Sequence, residues 1–589
     1  MPRSISGELQ RAPQPKTKSG CLTCKRVKCD EAKPNCLRCS STGRKCDGYQ
    51  KSSPRSLFRD YQLPLYSLPG LVRSENDRET RSFQYFYERT VPSLAGYCGS
   101  AFWNRLVLQV SQHEKSVWHA LVALGALHEN FEKNEDGPAT QLIRQTQDSF
   151  AIQEYVAAIR ALLNVSDNLD FNPSTPAFTS SAMNLTVDVC LVSCILFVCF
   201  EILSGHYVSA INHIRSGMKI LREAYYDPRS GTYRHPLLKP STVTKLEMET
   251  LRSMFFRLQS QTLTLTRIET DKPLYNIIEQ PSLVQIEIPE CFSSIAEARD
   301  IFENYGCLCS HEYHIAVGKL SSAKAAHVSD YLIQKYTLII NKWTAALDRF
   351  EQSRGHNLTT KEQVGLKILR MYRLQTIITL ASGQSENSNS FNWDQYNSLF
   401  EGIISLAASI AGTRFDTDST FSTNLLEKGE GFYLKPSFTL DNGIIAPLYD
   451  TAVLCRDPII RRKAVHILRS VSRQEGVFNS HVSAMAAEKV IAIEEAAASR
   501  LSSDYHDSIL SLTTIVSDMN LEQQDHQITK SSDVPKNVRL TYAYPTVDTT
   551  KREFFLTIGQ EEMRKRKMHI DIPFPAATAV VDIEFKSIQ

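Results

Sequence analysis

No apolar run in this sequence is long enough to cross a bilayer. The longest uncharged stretch of mainly apolar residues, Val189–Phe200, holds 12 residues between Asp188 and Glu201, well short of the roughly 20 that a membrane helix needs. It reads instead as a helix buried inside a large domain, and no membrane partner is expected. Met1–Gln10 is polar and has no apolar signal core, so an intracellular chain is expected. Enzyme signatures are missing too. There is no G-x4-GK[ST] and no G-x-S-x-G; Gly429 and Gly431 begin a G-x-G, but Leu434 stands where a dinucleotide loop needs its third glycine. His311-Glu312 is followed by His314, one position too early for a helical H-E-x-x-H zinc site. No catalytic residue is assigned and no enzyme is expected.

Net charge is scarce on average and unevenly spread. The 589 residues are 42% apolar and 22% charged, with a formal net charge of +2, an ordinary globular composition with room for two to four domains. Residues 1–60, however, carry 14 Lys/Arg and 5 Asp/Glu, while the other 529 carry 52 and 59. A basic segment of +9 precedes a body of −7. The segment suits a polyanion, and the body does not.

The cysteines share that asymmetry. Six of the 14 fall within 26 positions, as Cys21, Cys24, Cys29, Cys36, Cys39 and Cys46; the other eight are scattered over residues 98–455. One local cluster in an intracellular chain favours metal over disulfides. The pattern is C-x2-C-x4-C-x6-C-x2-C-x6-C. A C-x2-C pair can grip one metal from a single tight turn, and four thiolates make one tetrahedral zinc site. Six thiolates fill two such sites only if two of them bridge, so the pattern implies a binuclear cluster of two Zn²⁺. With the metals bound, the first 60 residues remain strongly basic.

Lys18–Tyr49, KSGCLTCKRVKCDEAKPNCLRCSSTGRKCDGY, resembles the DNA-binding cluster of the fungal binuclear zinc-cluster (Zn2Cys6) transcription factors. The resemblance implies that Cys21 and Cys36 bridge the metals, that Cys24 and Cys29 complete one site, and that Cys39 and Cys46 complete the other. Pro34 matches the proline of the loop joining the halves, and Arg26–Asp30 the basic stretch that leads into the third cysteine. One feature departs from the family. It usually has six residues between its second and third cysteines, and this chain has four, Lys25–Lys28. Seven positions along a helix turn ~700°, within ~20° of two full turns, whereas five end ~140° away. Either two codons were lost at a splice junction, the preferred account because the flanking residues fit so closely, or the finger is genuinely altered.

The resemblance further implies double-stranded DNA as partner, with CGG-like triplets read in the major groove. A guanine offers O6 and N7 as acceptors to Arg or Lys, and Arg26 is the expected base reader, with Lys25 and Lys28 alongside. Lys16, Lys18, Lys33, Arg38, Arg44 and Lys45 are expected on phosphates, which position the module without specifying sequence. Residues 47–75 contain Pro54, Pro64, Pro69 and Gly70 and show no sustained a/d heptads. A linker is expected there, and monomeric DNA binding or a homodimer formed through the body rather than a coiled coil.

From about residue 76 to 530 the apolar period is mostly 3.6. Phe102, Leu106 and Val110 share a face, as do Val117, Leu121 and Leu124. The pattern continues at Cys199–Leu203 and Tyr207–Leu221, with later helices near Lys245–Thr266, Tyr331–Phe350 and Glu362–Ala381. Polar breaks such as Ser382–Ser390 divide them. FQYFYERTVPSLAG, WHALVALGALHE and Asp441–Ser480 resemble stretches of the same family's large regulatory domain. That resemblance implies a nuclear regulator whose body answers to the transcription machinery or to a small-molecule effector.

The expected plan is a disordered basic N-terminus (1–17), a binuclear zinc-cluster module (18–49), a linker (50–75), a large all-α regulatory domain (76–530) and a C-terminal tail (531–589). Val538–Tyr544 and Phe554–Ile558 suggest a short β-hairpin in that tail. The run Arg456, Arg461, Arg462, Lys463, Arg469, Arg473 reads as a helix surface paired with the acidic body. Cys307, Cys309, His311 and His314, and His206 with His213, read as core groups rather than ligands. Arg564–Lys567, RKRK, reads equally as an import signal or an ordinary charged run. Leu501–Gln527 reads as a linker, with an activation segment as the alternative. If the shortened finger is inert, the chain is instead a co-regulator that acts through its helical body without binding DNA.

Overall fold

Amphipathic helices bury their apolar faces only against one another, so a sequence with this period builds layers of helix on helix. The computed structural model describes residues 37–43, 76–133, 149–163, 185–266, 287–382, 393–415, 436–503 and most of 528–569, apart from positions 98, 320, 321 and 414 within those spans. The chain divides into two compact units, Met1–Ser67 and Leu68–Gln589. The first contributes one described helix, α1 (Leu37–Ser41).

The second unit begins with α2 (Asp77–Tyr85), α3 (Val91–Leu94), α4 (Val107–Ser111), α5 (Lys115–Lys133), α6 (Ser149–Leu163), α7 (Val187–Leu203), α8 (Tyr207–Glu223) and α9 (Lys245–Thr266). It continues with α10 (Ile295–Lys319), α11 (Ser322–Arg354), α12 (Thr360–Ser382), α13 (Asn397–Ala411), α14 (Ile445–Leu454), α15 (Pro458–Ser470) and α16 (Ser480–Ser503). Among the described residues three apolar cores result. The first is built from α2–α9 and takes in Phe438 and Leu440. The second gathers α12–α16 with Val534, Leu540, Ala543 and Leu556. The third packs Phe292, Ile301 and Leu369 around Trp343 and Phe350 on α11.

The apolar run of the sequence is the centre of the first core. All of α7 is buried, its two flanking acids included. Thr186 caps it, and each acid finds donors: the Thr242 N–H and hydroxyl donate to Asp188 at 3.0 and 2.7 Å, and the Tyr155 hydroxyl donates to Glu201 at 2.7 Å. Beside α7, α8 meets α9 at Gly217, where a Cβ would lie 2.1 Å from the Phe255 ring; only glycine permits that approach. Among the described residues no helix is long and apolar enough to cross a membrane.

Several expectations need correcting. The body is not purely helical. β1 (Tyr225–Asp227) and β2 (Thr232–Arg234) form a hairpin, and β3 (Ser437–Thr439) pairs parallel to β4 (Arg473–Glu475), which pairs antiparallel to β5 (Phe478–Asn479). The C-terminal hairpin is a three-stranded antiparallel sheet, β6 (Tyr542–Asp548), β7 (Glu553–Gly559) and β8 (Arg566–His569). Half of the RKRK run therefore lies in a strand, Arg566 opposite Ile558 and Lys567 opposite Thr557; Arg564 and Lys565 lie outside the described residues. Phe102–Leu106 forms a π turn before α4 takes over, although Phe102 and Leu106 are buried as their spacing requires.

The basic run 456–473 is not one exposed surface. Arg456 and Arg461 are at most 1% exposed, and both face Glu494 of α16, at 2.7 and 3.0 Å. Arg462 and Arg469 do pair at the surface, with Glu495 and Glu488. Linker residues 50–75, the break at 383–390 and residues 504–527 lie outside the described residues.

Candidate functional site

The cysteine module is described only at α1. Cys39 is the third residue of this five-residue helix and is 1% exposed, whereas Ser40, Ser41, Thr42 and Gly43 are exposed. A helix this short is not stable by its own hydrogen bonds, and Cys39 is buried in its middle. Cys39 is one of the six thiols that would hold two Zn²⁺. Cys21, Cys24, Cys29, Cys36 and Cys46 lie outside the described residues, as do Lys16, Lys18, Lys25, Arg26, Lys28, Lys33, Arg44 and Lys45. Arg38 is placed on α1, its side chain undescribed. Among the described residues no group of three or more His, Cys, Asp or Glu is arranged to hold a metal.

Of the histidine candidates of the body, His206 and His213 converge on the buried carboxylate of Glu201. His206 Nδ1 lies 2.9 Å from Glu201, and His213 Nε2 lies 3.4 Å from the Tyr155 hydroxyl that bonds the same carboxylate. Burial pushes the His213 pKa down. Cys309 packs against the third core and Cys307 faces a cleft; burial pushes both thiols up to about 11. The side chains of His311 and His314 lie outside the description.

That cleft is the feature the sequence did not announce. It encloses about 400 Å³ between α9, α10, α12 and the turn after β3. One wall is a charged lattice. Arg257 of α9 donates from Nε to Glu303 at 2.8 Å and from Nη1 to Asp441 at 2.7 Å; Arg299 of α10 reaches the other Asp441 oxygen at 3.2 Å and Asp300 at 3.0 Å. Burial raises the Glu303 carboxyl above its ordinary range even though Arg257 and Arg299 oppose the rise. Phe256, Phe302, Ile368, Leu369 and Tyr372 add an apolar and aromatic lining.

The turn that carries Asp441 is held from several sides. Gly96, at φ +61, passes so close that a Cβ would lie 2.0 Å from Asp441 Oδ2. Gln261 donates to Leu440 O and Asn442 Oδ1. Glu475 of β4 accepts the N–H groups of Ile444 and Ile445 at the start of α14, at 3.0 and 2.9 Å, where the helix dipole favours a carboxylate. Arg473 in turn pairs with Glu475 and with the hydroxyl of Tyr97, another cleft residue. Sequence reasoning missed Arg257, Arg299 and Glu303 because they stand on two separate helices and match no motif. Asp441 opens a stretch already singled out, and Arg257 lies within the expected Lys245–Thr266 helix.

Residues 81–259 match the fungal specific transcription factor domain. The chain is 24% identical to the aspercryptin biosynthesis cluster-specific transcription regulator of Emericella nidulans, over 84% of this chain and 90% of that one. Along most of its length the chain is thus similar to proteins named as fungal transcription regulators. It is also similar to a transcription regulator of Purpureocillium lilacinum, 28% identical over 34% of this chain and 47% of the relative. A transcriptional regulatory protein of Schizosaccharomyces pombe is 50% identical over a short segment, 8% of this chain and 10% of that one. No solved structure matches. The matched domain ends at Gln259, so this regulator takes one wall of its cleft, with Arg257, from the shared domain and the rest from beyond it.

Proposed function

We propose that the protein is a zinc-dependent, sequence-specific DNA-binding regulator of transcription that works in the nucleus. The observation that carries this is the spacing of Cys21, Cys24, Cys29, Cys36, Cys39 and Cys46 inside a segment of net charge +9, on a chain similar to proteins named as transcription regulators. Two Zn²⁺ held by those thiolates supply the module with the fold its few apolar residues cannot. Arg26 reads a guanine edge, Lys25 and Lys28 lie beside it, and Lys16, Lys18, Lys33, Arg38, Arg44 and Lys45 meet phosphates. The likeness to a cluster-specific regulator supports a biosynthetic gene set as target, with the transcription machinery as the body's partner.

Metal analysis and DNA binding test the reading. Two zinc ions per full-length chain are expected, with affinity that falls steeply as salt rises. Arg26→Ala should relax preference at one base and cost about 1–3 kcal/mol, while Lys18→Ala should weaken all sequences alike. Equal effects of the two changes on every sequence would overturn the assigned roles. The shortened Cys24–Cys29 spacing favours a second reading, a co-regulator with an inert module, and zero or one zinc per chain would select it.

A further inference from the structure

We propose that the cleft between α9, α10 and α12 binds a small organic cation, a protonated amine carried on an apolar body of about one fused ring system. The inference goes beyond DNA recognition and stands even if the module binds no DNA. A cavity of about 400 Å³ falls within the range of small-molecule sites, which favour junctions between packed units and combine an apolar lining with a few convergent polar groups. This one lies where the three cores meet. Phe256 packs on the first, Phe302 and Leu369 belong to the third, and Asp441 precedes the helix that opens the second.

Charge selects the ligand's sign. Among the described residues four carboxylates line the cleft, Glu249, Asp300, Glu303 and Asp441, against three guanidiniums, Arg252, Arg257 and Arg299, which leaves one negative charge in excess there. The guanidiniums facing the lattice are committed to carboxylates, so an anion would have to displace a bonded partner. Acceptor capacity remains. Glu303 receives Arg257 on Oε2, and its other oxygen accepts no hydrogen bond among the described residues. The aromatic side chains suit the same ligand. Phe256, Phe302 and Tyr372 line the cleft, Phe302 and Tyr372 edge to face at 6.4 Å, and a cation shielded from water is attracted to such faces. The raised Glu303 carboxyl agrees with a site that gains from an incoming ammonium.

Three indoles that differ only in the side-chain end group test this by calorimetry on the full-length protein: tryptamine, neutral tryptophol and indole-3-propionate. Tryptamine is expected to bind at least about 10-fold tighter than tryptophol, the scale of a desolvated cation–π contact with its carboxylate, and the propionate is expected to bind weakest. Glu303→Gln should lower tryptamine affinity about 10-fold and leave tryptophol unchanged, the loss of one charge-assisted bond. Gly306→Leu is the control that keeps its fold. Gly306 lines the cleft inside α10, a Cβ there meets no atom within 4 Å, and leucine is the better helix former. It should abolish binding of all three. The proposal is overturned if the propionate binds as well as tryptamine, if none of the three binds at millimolar concentration, or if Gly306→Leu leaves binding intact.

Discussion

In the first core the carboxylates of α7 are satisfied by neutral or neutralisable partners, Thr242 for Asp188 and Tyr155 with His206 for Glu201. In the second core the buried acid of α16, Glu494, lies between two buried guanidiniums. Arg456 donates to it at 2.7 Å and Arg461 approaches at 3.0 Å, while the Leu540 N–H adds a third donor at 2.8 Å. Arg456 also donates to Leu540 O at 2.6 Å, and Arg461 to Ala452 O at 3.1 Å. The C-terminal segment is thus tied to α14–α16 through charge as well as apolar contact. The contrast teaches where a loss is severe: a hydroxyl-bonded carboxylate can be removed and its partners remain neutral, whereas removal of Glu494 leaves two cations buried without their counter-charge.

The largest expected effect breaks that contrast directly. Glu494→Ala should cost about 3–5 kcal/mol, because breaking a buried ion pair strands its partners, whereas Glu201→Ala should cost about 1–3 kcal/mol for unsatisfied donors. Urea unfolding of the two variants checks the order, and equal losses would mean that the arginines relax to solvent.

Acidification is expected to come second and to act from the first core. His128 on α5 is fully buried, with Nδ1 2.9 Å from the Thr90 hydroxyl, and burial pushes its pKa down to about 4. The unfolded chain, with an ordinary imidazole near 6.5, takes up a proton that the folded chain refuses. Stability from this group is therefore full above pH about 6.5 and declines as pH falls to about 4, by up to about 3 kcal/mol. Glu494 loses stability in the same direction but in a more acidic window. Burial alone would raise it, yet Arg456 and Arg461 hold its carboxyl below the ordinary range, so its contribution is full above the ordinary carboxylate pKa and is lost as pH falls from there to the lowered value. A His128→Asn variant should lose less stability than the parent between pH 7 and pH 5. The smallest effect belongs to the surface of the second core. Arg469→Ala removes a pair with Glu488 whose side chains are 35% and 44% exposed, and it should change stability by about 0–1 kcal/mol.

Legibility followed the range of the interaction. The helix expected at Lys245–Thr266 is α9 with the same bounds, and the uncharged run at 189–200 lies inside fully buried α7, because periodicity and composition are local signals. β3 and β4 escaped notice. Each has three residues, and their parallel pairing joins Ser437 to Arg473 across an intervening pair of helices. Arg456 and Arg461 read as surface because an arginine's burial depends on its partner, and Glu494 stands more than thirty positions away. The cleft was invisible for the same reason.

The sequence by itself determined the cysteine spacing, the separation of a basic segment from an acidic body, and the helical character of most of that body. Each of these is written in residues within a turn or two of one another. Tertiary structure alone decided which arginines are buried, how a three-stranded sheet joins the second core, and that Arg257, Arg299, Glu303 and Asp441 share one cavity wall. Those outcomes depend on which distant surfaces pack together. Desolvation then fixes the cost of each charge, and no local pattern encodes that cost.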